Sequence, residues 1–322
     1  MRRHALGSPQ HRILRIAVSF VVLLFCSTLL YSCAVQRRLR RAIAEADRDP
    51  ITSVIRGTEA ITLAPAAGDP ATSRTACLMV HGFLSARTDF ADLGERLVRH
   101  GITVRLMRLP GHGTTPVDFA YLPPGALYKA VHQEYLNLRE RFDRIYLVGF
   151  SMGGSLSTIL ASEEPVDRLV LVSPYFGVTY AWYYVLPAHI WNALLGRLIP
   201  YVVRTDAFVK LNDRTLYDKI FMYKIVPTAG VRQLKAIGQT ARREELLRKV
   251  ACSVLIVHSR GDGAASPQEA QEAFGKLGSS DKEILWLKES NHIVFWDFER
   301  EEAKDRIERF LTEPRPSRPE IP

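Results

Sequence analysis

The sequence has few cysteines and no cysteine spacing typical of a metal site. Cys26 and Cys33 lie in or beside an N-terminal apolar run, whereas Cys77 and Cys252 lie in or next to predicted strands. No C-x-x-C pair and no Cys/His ligand set is present, so the pattern does not predict a zinc module. We expect Cys77 and Cys252 to be buried thiols, and the sequence also allows a disulfide between them.

The body of the chain, residues 42–322, carries almost no net charge. The 322 residues carry a formal net charge of +9, but eight of the 43 Lys and Arg lie within residues 1–41, which contain no acidic residue. The rest of the chain then holds 35 basic residues against 34 acidic ones. A balanced body offers no basic groove, so we expect no nucleic acid partner.

Charged residues are also missing between Arg15 and Arg37. At ~1.5 Å per helical residue, Ile16–Gln36 is long enough to cross a hydrocarbon core of roughly 30 Å. We therefore interpret residues 1–41 as a membrane anchor or signal segment with basic flanks, which would hold the body at a membrane of the cell envelope. A cleaved secretory signal and a lipoprotein signal with Cys33 as the lipidated residue are the alternatives. Both flanks carry four Arg, so the orientation is not set.

Short apolar runs alternate with helical periodicity over most of residues 42–311. Repeated strand–helix units predict an α/β fold, with a mostly parallel central sheet and helices on both faces. We divide this core into a first part, residues 42–174, and a second part, residues 250–311. The Pro-rich tail, residues 312–322, is expected to be disordered.

Residues 175–249 interrupt the alternation. Twelve of the 30 aromatic residues lie between Tyr175 and Tyr223, and no clear strand occurs before Val254. We interpret this region as an inserted helical cap that roofs the core with apolar side chains. A long helical part of the core is the alternative.

One pentapeptide has the form G-x-S-x-G, and it runs from Gly149 to Gly153. It follows an apolar run typical of a buried strand and precedes a helix-compatible run. A sharp turn there needs small residues where backbones come close, and it would present the Ser151 hydroxyl at its apex. An ordinary Gly-rich connection is the alternative.

Further reactive side chains follow other predicted strands. The carboxyl ends of parallel strands line one crevice, and Ser151, Asp262 and His292 occur there in chain order. A serine needs an imidazole to take its proton, and the imidazole needs a carboxylate to orient it. We predict Ser151 as nucleophile, His292 as general base and then acid, and Asp262 as the orienting acid. Asp297 is the alternative acid.

A tetrahedral intermediate also needs donors for its oxyanion. The backbone N–H groups of Met152, directly after the serine, and of Phe83, after an earlier strand, are the predicted donors. Among the other histidines, His81 and His112 are expected to orient loops, and His258 to be a core residue.

These motifs together resemble those of the α/β-hydrolase superfamily, and in particular the bacterial carboxylesterase and monoacylglycerol lipase group. The resemblance extends over about Thr75–Leu311, interrupted by the cap. It implies hydrolysis of carboxylic esters through an acyl-enzyme, with a small acyl ester or lipid as substrate and without a metal or organic cofactor. Two features depart from the family pattern. Ser85 stands where many relatives have Gly in the oxyanion loop, and the cap is longer and more aromatic than the small cap of that group. Thioester, amide or C–C substrates and a non-catalytic binding role are the alternatives.

Overall fold

A computed structural model describes residues 9–66, 74–179 and 198–314 of the chain. An early part of the predicted cap, residues 180–197, and most of the predicted tail, residues 315–322, lie outside the described residues. The two parts of the predicted core meet in one sheet of seven strands.

Strand order places the predicted site near the middle of this sheet. The order is β1-β3-β2-β4-β5-β8-β9, and only β1 is antiparallel to its neighbour. The predicted mostly parallel α/β sheet is therefore confirmed. Its strands are β1 Ile61–Leu63, β2 Thr75–Val80, β3 Thr103–Leu106, β4 Arg144–Phe150, β5 Arg168–Val172, β8 Ser253–Ser259 and β9 Lys282–Leu287.

Helices cover both faces of the sheet, so the central strands are buried on both sides. Along β2, Leu78 and Val80 pack into one apolar cluster, whereas Cys77 and Met79 pack into the other. Alternate residues of a strand point to opposite faces, so one short apolar run supplies both clusters. Within the described ranges the α-helices are α1 Pro9–Glu45, α2 Leu93–Val98, α3 Pro116–Ala120, α4 Ala126–Arg139, α5 Met152–Glu163, α6 Thr228–Ala241, α7 Glu244–Leu247, α8 Pro267–Lys276 and α9 Arg300–Thr312.

The region predicted to be a helical cap also contains strands. β6, Tyr201–Val203, and β7, Ile225–Pro227, pair antiparallel in a separate two-stranded sheet. Short 3₁₀ helices, Asp206–Phe208 and Arg214–Lys219, lie between them. Each strand has only three residues, too few for alternation to reveal it in the sequence, although its β-branched residues suit a pleated sheet.

The long first helix has two unlike halves. Its N-terminal half exposes large apolar side chains, among them Ile16, which is 70% exposed. Its C-terminal half buries Val35 and Leu39 against Ile225 of β7. Over Arg12–Glu45 the helix has a window of mean hydropathy 2.4 and is long enough to cross a membrane. The predicted anchor or signal segment therefore continues directly into the folded body.

Candidate active site

Ser151 lies on the turn between β4 and α5, with a backbone φ of 52° and ψ of −117°. A positive φ is unfavourable for serine, so the turn needs support from its neighbours. The Ser151 N–H donates to Val172 O at 2.9 Å, and its carbonyl accepts from Tyr175 N–H at 3.0 Å. Gly153 allows α5 to start against β2, because a Cβ there would lie 1.9 Å from Val80 O. The turn predicted from the G-x-S-x-G sequence is present.

The structure brings together the three side chains that the strand-end pattern predicted. His292 Nε2 lies 3.0 Å from Ser151 Oγ, and His292 Nδ1 lies 2.8 Å from Asp262 Oδ2. Ser151 and Asp262 are buried, and the His292 side chain is largely covered. These distances permit a proton to pass from the hydroxyl to the imidazole while the carboxylate holds the ring.

The Asp262 carboxylate is held in its ionised form. Its Oδ1 accepts backbone N–H bonds from Ala264 at 2.8 Å and Ala265 at 2.9 Å. Burial by itself would raise the pKa of this carboxyl. Attraction to His292 and hydrogen bonds from His258 and His292 outweigh burial and hold the pKa of Asp262 well below its ordinary value. The ionised Asp262 carboxylate supplies the negative charge that would stabilise a protonated His292.

Two other carboxylates fix the loop that carries His292. Asp297 accepts backbone N–H bonds from Asn291 at 2.7 Å and from Asn212 and Asp213 at 2.9 Å. Glu299 likewise accepts from the backbone N–H groups of Lys288, Glu289 and Ser290. Asp297, the alternative acid, thus anchors backbone, while Asp262 contacts the imidazole.

The predicted oxyanion donors lie next to this site: Phe83 lines the cavity that contains Ser151, and Met152 directly follows Ser151 in the chain. Neither the Phe83 nor the Met152 backbone N–H donates a hydrogen bond to any residue that the structure describes. The loop before Phe83 is held by Asp89, whose Oδ2 accepts from Gly82 N–H at 2.9 Å and from the Ser85 hydroxyl at 2.5 Å. Ser85, the departure from the family pattern, therefore supplies a hydrogen bond in this loop. Burial raises the pKa of Asp89 to about 6.

His81 and His112 hold the neighbouring loops, as predicted. His81 Nε2 accepts from Leu109 N–H at 3.1 Å, and His112 Nε2 accepts from Leu84 N–H at 3.0 Å. Each ring donates its Nδ1–H to a backbone carbonyl at 2.9 Å. Burial lowers the pKa of both rings, that of His81 to about 4. Neutral rings suit this use, because each ring then has one donor and one acceptor.

Sequence reasoning missed the contact that His258 makes. Its Nε2 lies 3.1 Å from Asp262 Oδ2, so the carboxylate contacts two imidazoles. A signal was available: His258 lies near the end of β8, four residues before Asp262, where the chain turns back. Asp89 and Arg204, which also line the site, had no comparable signal, because their surroundings come from distant segments.

A cavity of about 480 Å³ opens beside Ser151 and His292. Its described lining is mostly apolar, and both the core and the region 175–249 contribute to it. A largely apolar pocket with a few convergent polar groups is typical of a small-molecule site. The apolar lining residues are Phe83, Phe150, Phe176, Val178, Phe208, Val209, Met222, Val231, Leu234 and Ile293.

Comparison with known families agrees with this geometry. The model of the serine aminopeptidase S33 hydrolase family matches residues 71–301, well over half of the chain. The chain belongs to this family. The resemblance to α/β-hydrolases inferred from the motifs is thereby confirmed, and so is the predicted fold.

Relatives of this S33 hydrolase include lipolytic enzymes. A thermostable monoacylglycerol lipase of Bacillus sp. (strain H-257) is 29% identical over 73% of this chain and 89% of its own length. A carboxylesterase of Bacillus subtilis (strain 168) is 22% identical over 73% of this chain and 92% of its own length. A solved structure from work on the metagenome-derived lipolytic enzymes LipS and LipT has a TM-score of 0.71 at 26% identity, covering 81% of this chain and 100% of that one.

Proposed function

We propose that this S33 hydrolase is a membrane-associated serine esterase that cleaves carboxylic esters with an apolar acyl chain. One observation carries the proposal: the Ser151 hydroxyl, the His292 imidazole and the Asp262 carboxylate form a continuous hydrogen-bonded chain of 3.0 and 2.8 Å. The named relatives, a monoacylglycerol lipase and a carboxylesterase, support an ester as the substrate.

The reaction would proceed through an acyl-enzyme. His292 Nε2 takes the Ser151 proton as Oγ attacks the carbonyl carbon, and the oxyanion receives hydrogen bonds from the backbone N–H groups of Phe83 and Met152. The protonated imidazole, stabilised by Asp262, then gives its proton to the leaving alcohol as the C–O bond breaks. His292 then takes a proton from a water molecule as the water oxygen attacks the acyl carbon. It returns this proton to Ser151 Oγ as the bond between Oγ and the acyl carbon breaks, which releases the acid and restores the Ser151 hydroxyl.

The cavity supports an apolar acyl group. Each CH₂ that moves from water into such a lining contributes roughly 0.8 kcal/mol to binding, and aromatic side chains from the core and the cap line the space beside Ser151. The family is named for a serine aminopeptidase, and the substrate of an aminopeptidase carries an amino-terminal ammonium group. The basic residues lining this cavity outnumber the acidic ones, Asp89 and Glu269, which favours an ester over an amino-terminal peptide.

The first helix supports membrane association. Its exposed apolar half would lie in the bilayer, and its C-terminal half is bound to the body, where Ser32 Oγ donates to Leu198 O at 3.0 Å and Val203 N–H donates to Tyr31 OH at 3.3 Å. Cleavage before Cys33 would remove both of these contacts. We therefore favour an uncleaved anchor over a secretory or lipoprotein signal. The intact mass of membrane-extracted protein separates the three.

A labelling experiment tests the catalytic proposal. Full-length protein is treated with a fluorophosphonate probe and assayed on a p-nitrophenyl ester series and on alanine p-nitroanilide. We expect labelling and ester hydrolysis that rise with acyl length, both abolished in Ser151→Ala. Ser162→Ala, on the helix that follows Ser151 and with its hydroxyl bonded to Ile159 O, is the matched control and should behave as wild type. Undiminished labelling of Ser151→Ala, or hydrolysis of the anilide alone, would contradict the proposal.

A further inference from the structure

The cavity beside Ser151 carries more positive than negative charge. Apart from His292, its charged lining residues are two acidic and four basic: Asp89, Glu269, Arg204, Lys210, Lys235 and Arg242. Arg242 and Glu269 pair with each other. A cation in a mostly apolar cavity is costly unless an anion faces it. The Arg204 guanidinium, which forms no ion pair among the described residues, therefore calls for a negative partner.

Arg204 is the basic lining residue that attracts Asp89, a carboxylate in the same cavity as His292. It follows β6, and its backbone N–H donates to Lys224 O at 2.7 Å, which fixes it to the unit formed by β6, β7 and their connection, residues 201–227, here called the β6–β7 hairpin. It attracts Asp89, which in turn attracts His292. Among the residues that the structure describes, the guanidinium has no hydrogen-bond acceptor and no carboxylate within 4.0 Å. Its five N–H donors are thus available.

Asp89 does not neutralise the positive charge of Arg204. Its carboxylate is already bonded to the Gly82 N–H and the Ser85 hydroxyl, and it makes no direct ion pair with Arg204. Burial raises the pKa of Asp89 to about 6 and lowers the pKa of Arg204 to about 10, although attraction between the two opposes both shifts. Both groups therefore remain incompletely compensated in the described cavity.

We propose that Arg204 binds an anionic group of the substrate, a carboxylate or a phosphate, while the apolar lining beside it binds the hydrocarbon part. The planar guanidinium can donate two parallel hydrogen bonds to either a carboxylate or a phosphate. Val209 and Met222 line the cavity together with Arg204, so an alkyl chain and an anion can be bound side by side. This substrate class rests on the proposed esterase function and narrows it to amphiphilic, negatively charged esters.

Binding to the full-length Ser151→Ala variant tests the site without turnover. Hexyl phosphate, hexanoate and 1-hexanol share one alkyl chain and differ in the head group, and their affinities are measured by calorimetry. We expect at least one anion to bind on the order of tenfold more tightly than 1-hexanol. Preference for hexyl phosphate identifies a phosphate-bearing ester, and preference for hexanoate identifies a carboxylate-bearing one.

Substitutions locate the preference. Adding Arg204→Met to the Ser151→Ala variant should remove the preference for anions and leave 1-hexanol binding unchanged. Unchanged 1-hexanol binding would also show that the cavity is intact. Arg204→Lys retains the charge and should keep part of the preference. Lys235→Met is the matched control, because Lys235 lines the same cavity and also has no ion-pair partner among the described residues. Equal affinity for all three ligands, or a preference that survives Arg204→Met, overturns the proposal.

The outcome is separable from that of the proposed function. Wild type that hydrolyses neutral esters while Ser151→Ala shows no anion preference would leave the esterase standing and overturn the Arg204 site. Protein that cleaves no ester but binds the anions through Arg204 would support the site and overturn the function.

Discussion

The strand-end loops of the core and the β6–β7 hairpin, residues 201–227, both line one cavity, yet their polar groups are bonded differently. In the core loops, Asp262 and Asp297 accept several hydrogen bonds each, and His292 is held on both ring nitrogens. At the hairpin, Arg204 keeps its donors free among the described residues. Groups that must be oriented before the substrate arrives are fixed in advance. Arg204, which we propose binds the substrate, keeps its guanidinium donors available for that substrate.

The two sides also differ in their support. The core loops end strands that are buried on both faces. The hairpin instead rests on the first helix, through Ile225 against Val35 and Leu39. Damage to the core should therefore abolish chemistry or folding, whereas damage beneath the hairpin should cost less. Four substitutions test this difference, in order of decreasing effect.

The largest effect is expected from Asp262→Asn. The amide cannot stabilise a protonated His292, so kcat should fall on the order of 10³–10⁴-fold with little change in KM. Asp297→Asn is the matched control, a buried carboxylate next to the same loop that bonds only to backbone. It should lower the free energy of unfolding by roughly 1–3 kcal/mol and keep most of kcat. Similar kcat losses in both variants would contradict the distinct roles.

Gly153→Ala should destabilise the core side. Its Cβ would lie 1.9 Å from Val80 O and 2.5 Å from Val80 C, both backbone atoms of β2 that cannot move aside. We expect a loss of at least about 3 kcal/mol in the free energy of unfolding, measured by urea titration. Gly275→Ala in α8 is the control, since a Cβ there meets nothing within 4 Å. It should stabilise the protein by roughly 0.5–1 kcal/mol, and a comparable loss in both variants would contradict the packing argument.

Leu39→Ala tests the support beneath the hairpin. Leu39 is 5% exposed and contacts the hairpin cluster, so its truncation should lower the free energy of unfolding by about 2–3 kcal/mol. Leu30→Ala, which alters a residue of the same helix that is 72% exposed, should change it by less than about 0.5 kcal/mol. Both are measured as full-length protein in one detergent. Equal effects would mean that the helix does not support the body.

The smallest effect concerns Asp89, where the two sides meet. Its pKa is raised from 3.8 to about 6 by burial, so between these values the folded state holds more protons than the unfolded state. This carboxyl therefore makes the protein less stable as pH rises from about 4 to 6, by on the order of 2 kcal/mol. Asp89→Asn lacks the titration, so it should gain stability relative to wild type across this window. Urea titrations at pH 4, 5, 6 and 7 measure the difference, and a constant difference would refute the raised pKa.

Much of the core was predictable because its signals are local. The apolar runs before Ser151, Asp262 and His292 each have strand length, and each is followed by a side chain with known chemistry. The chain order of these residues then allowed one arrangement to be inferred from strand topology. The hairpin was not predictable, because Tyr201–Val203 and Ile225–Pro227 are too short to show a period.

The sequence by itself determined the α/β sheet, the serine turn and the identity of the residues that meet there. These follow from periodicity and strand ends, which neighbouring residues encode. Only the tertiary structure decided which carboxylate contacts His292, that His258 contacts Asp262, and that Arg204 lines the cavity with no ion-pair partner in the described part of the chain. Such pairings depend on distances between segments far apart in the chain, and on the burial that makes an unpaired charge costly.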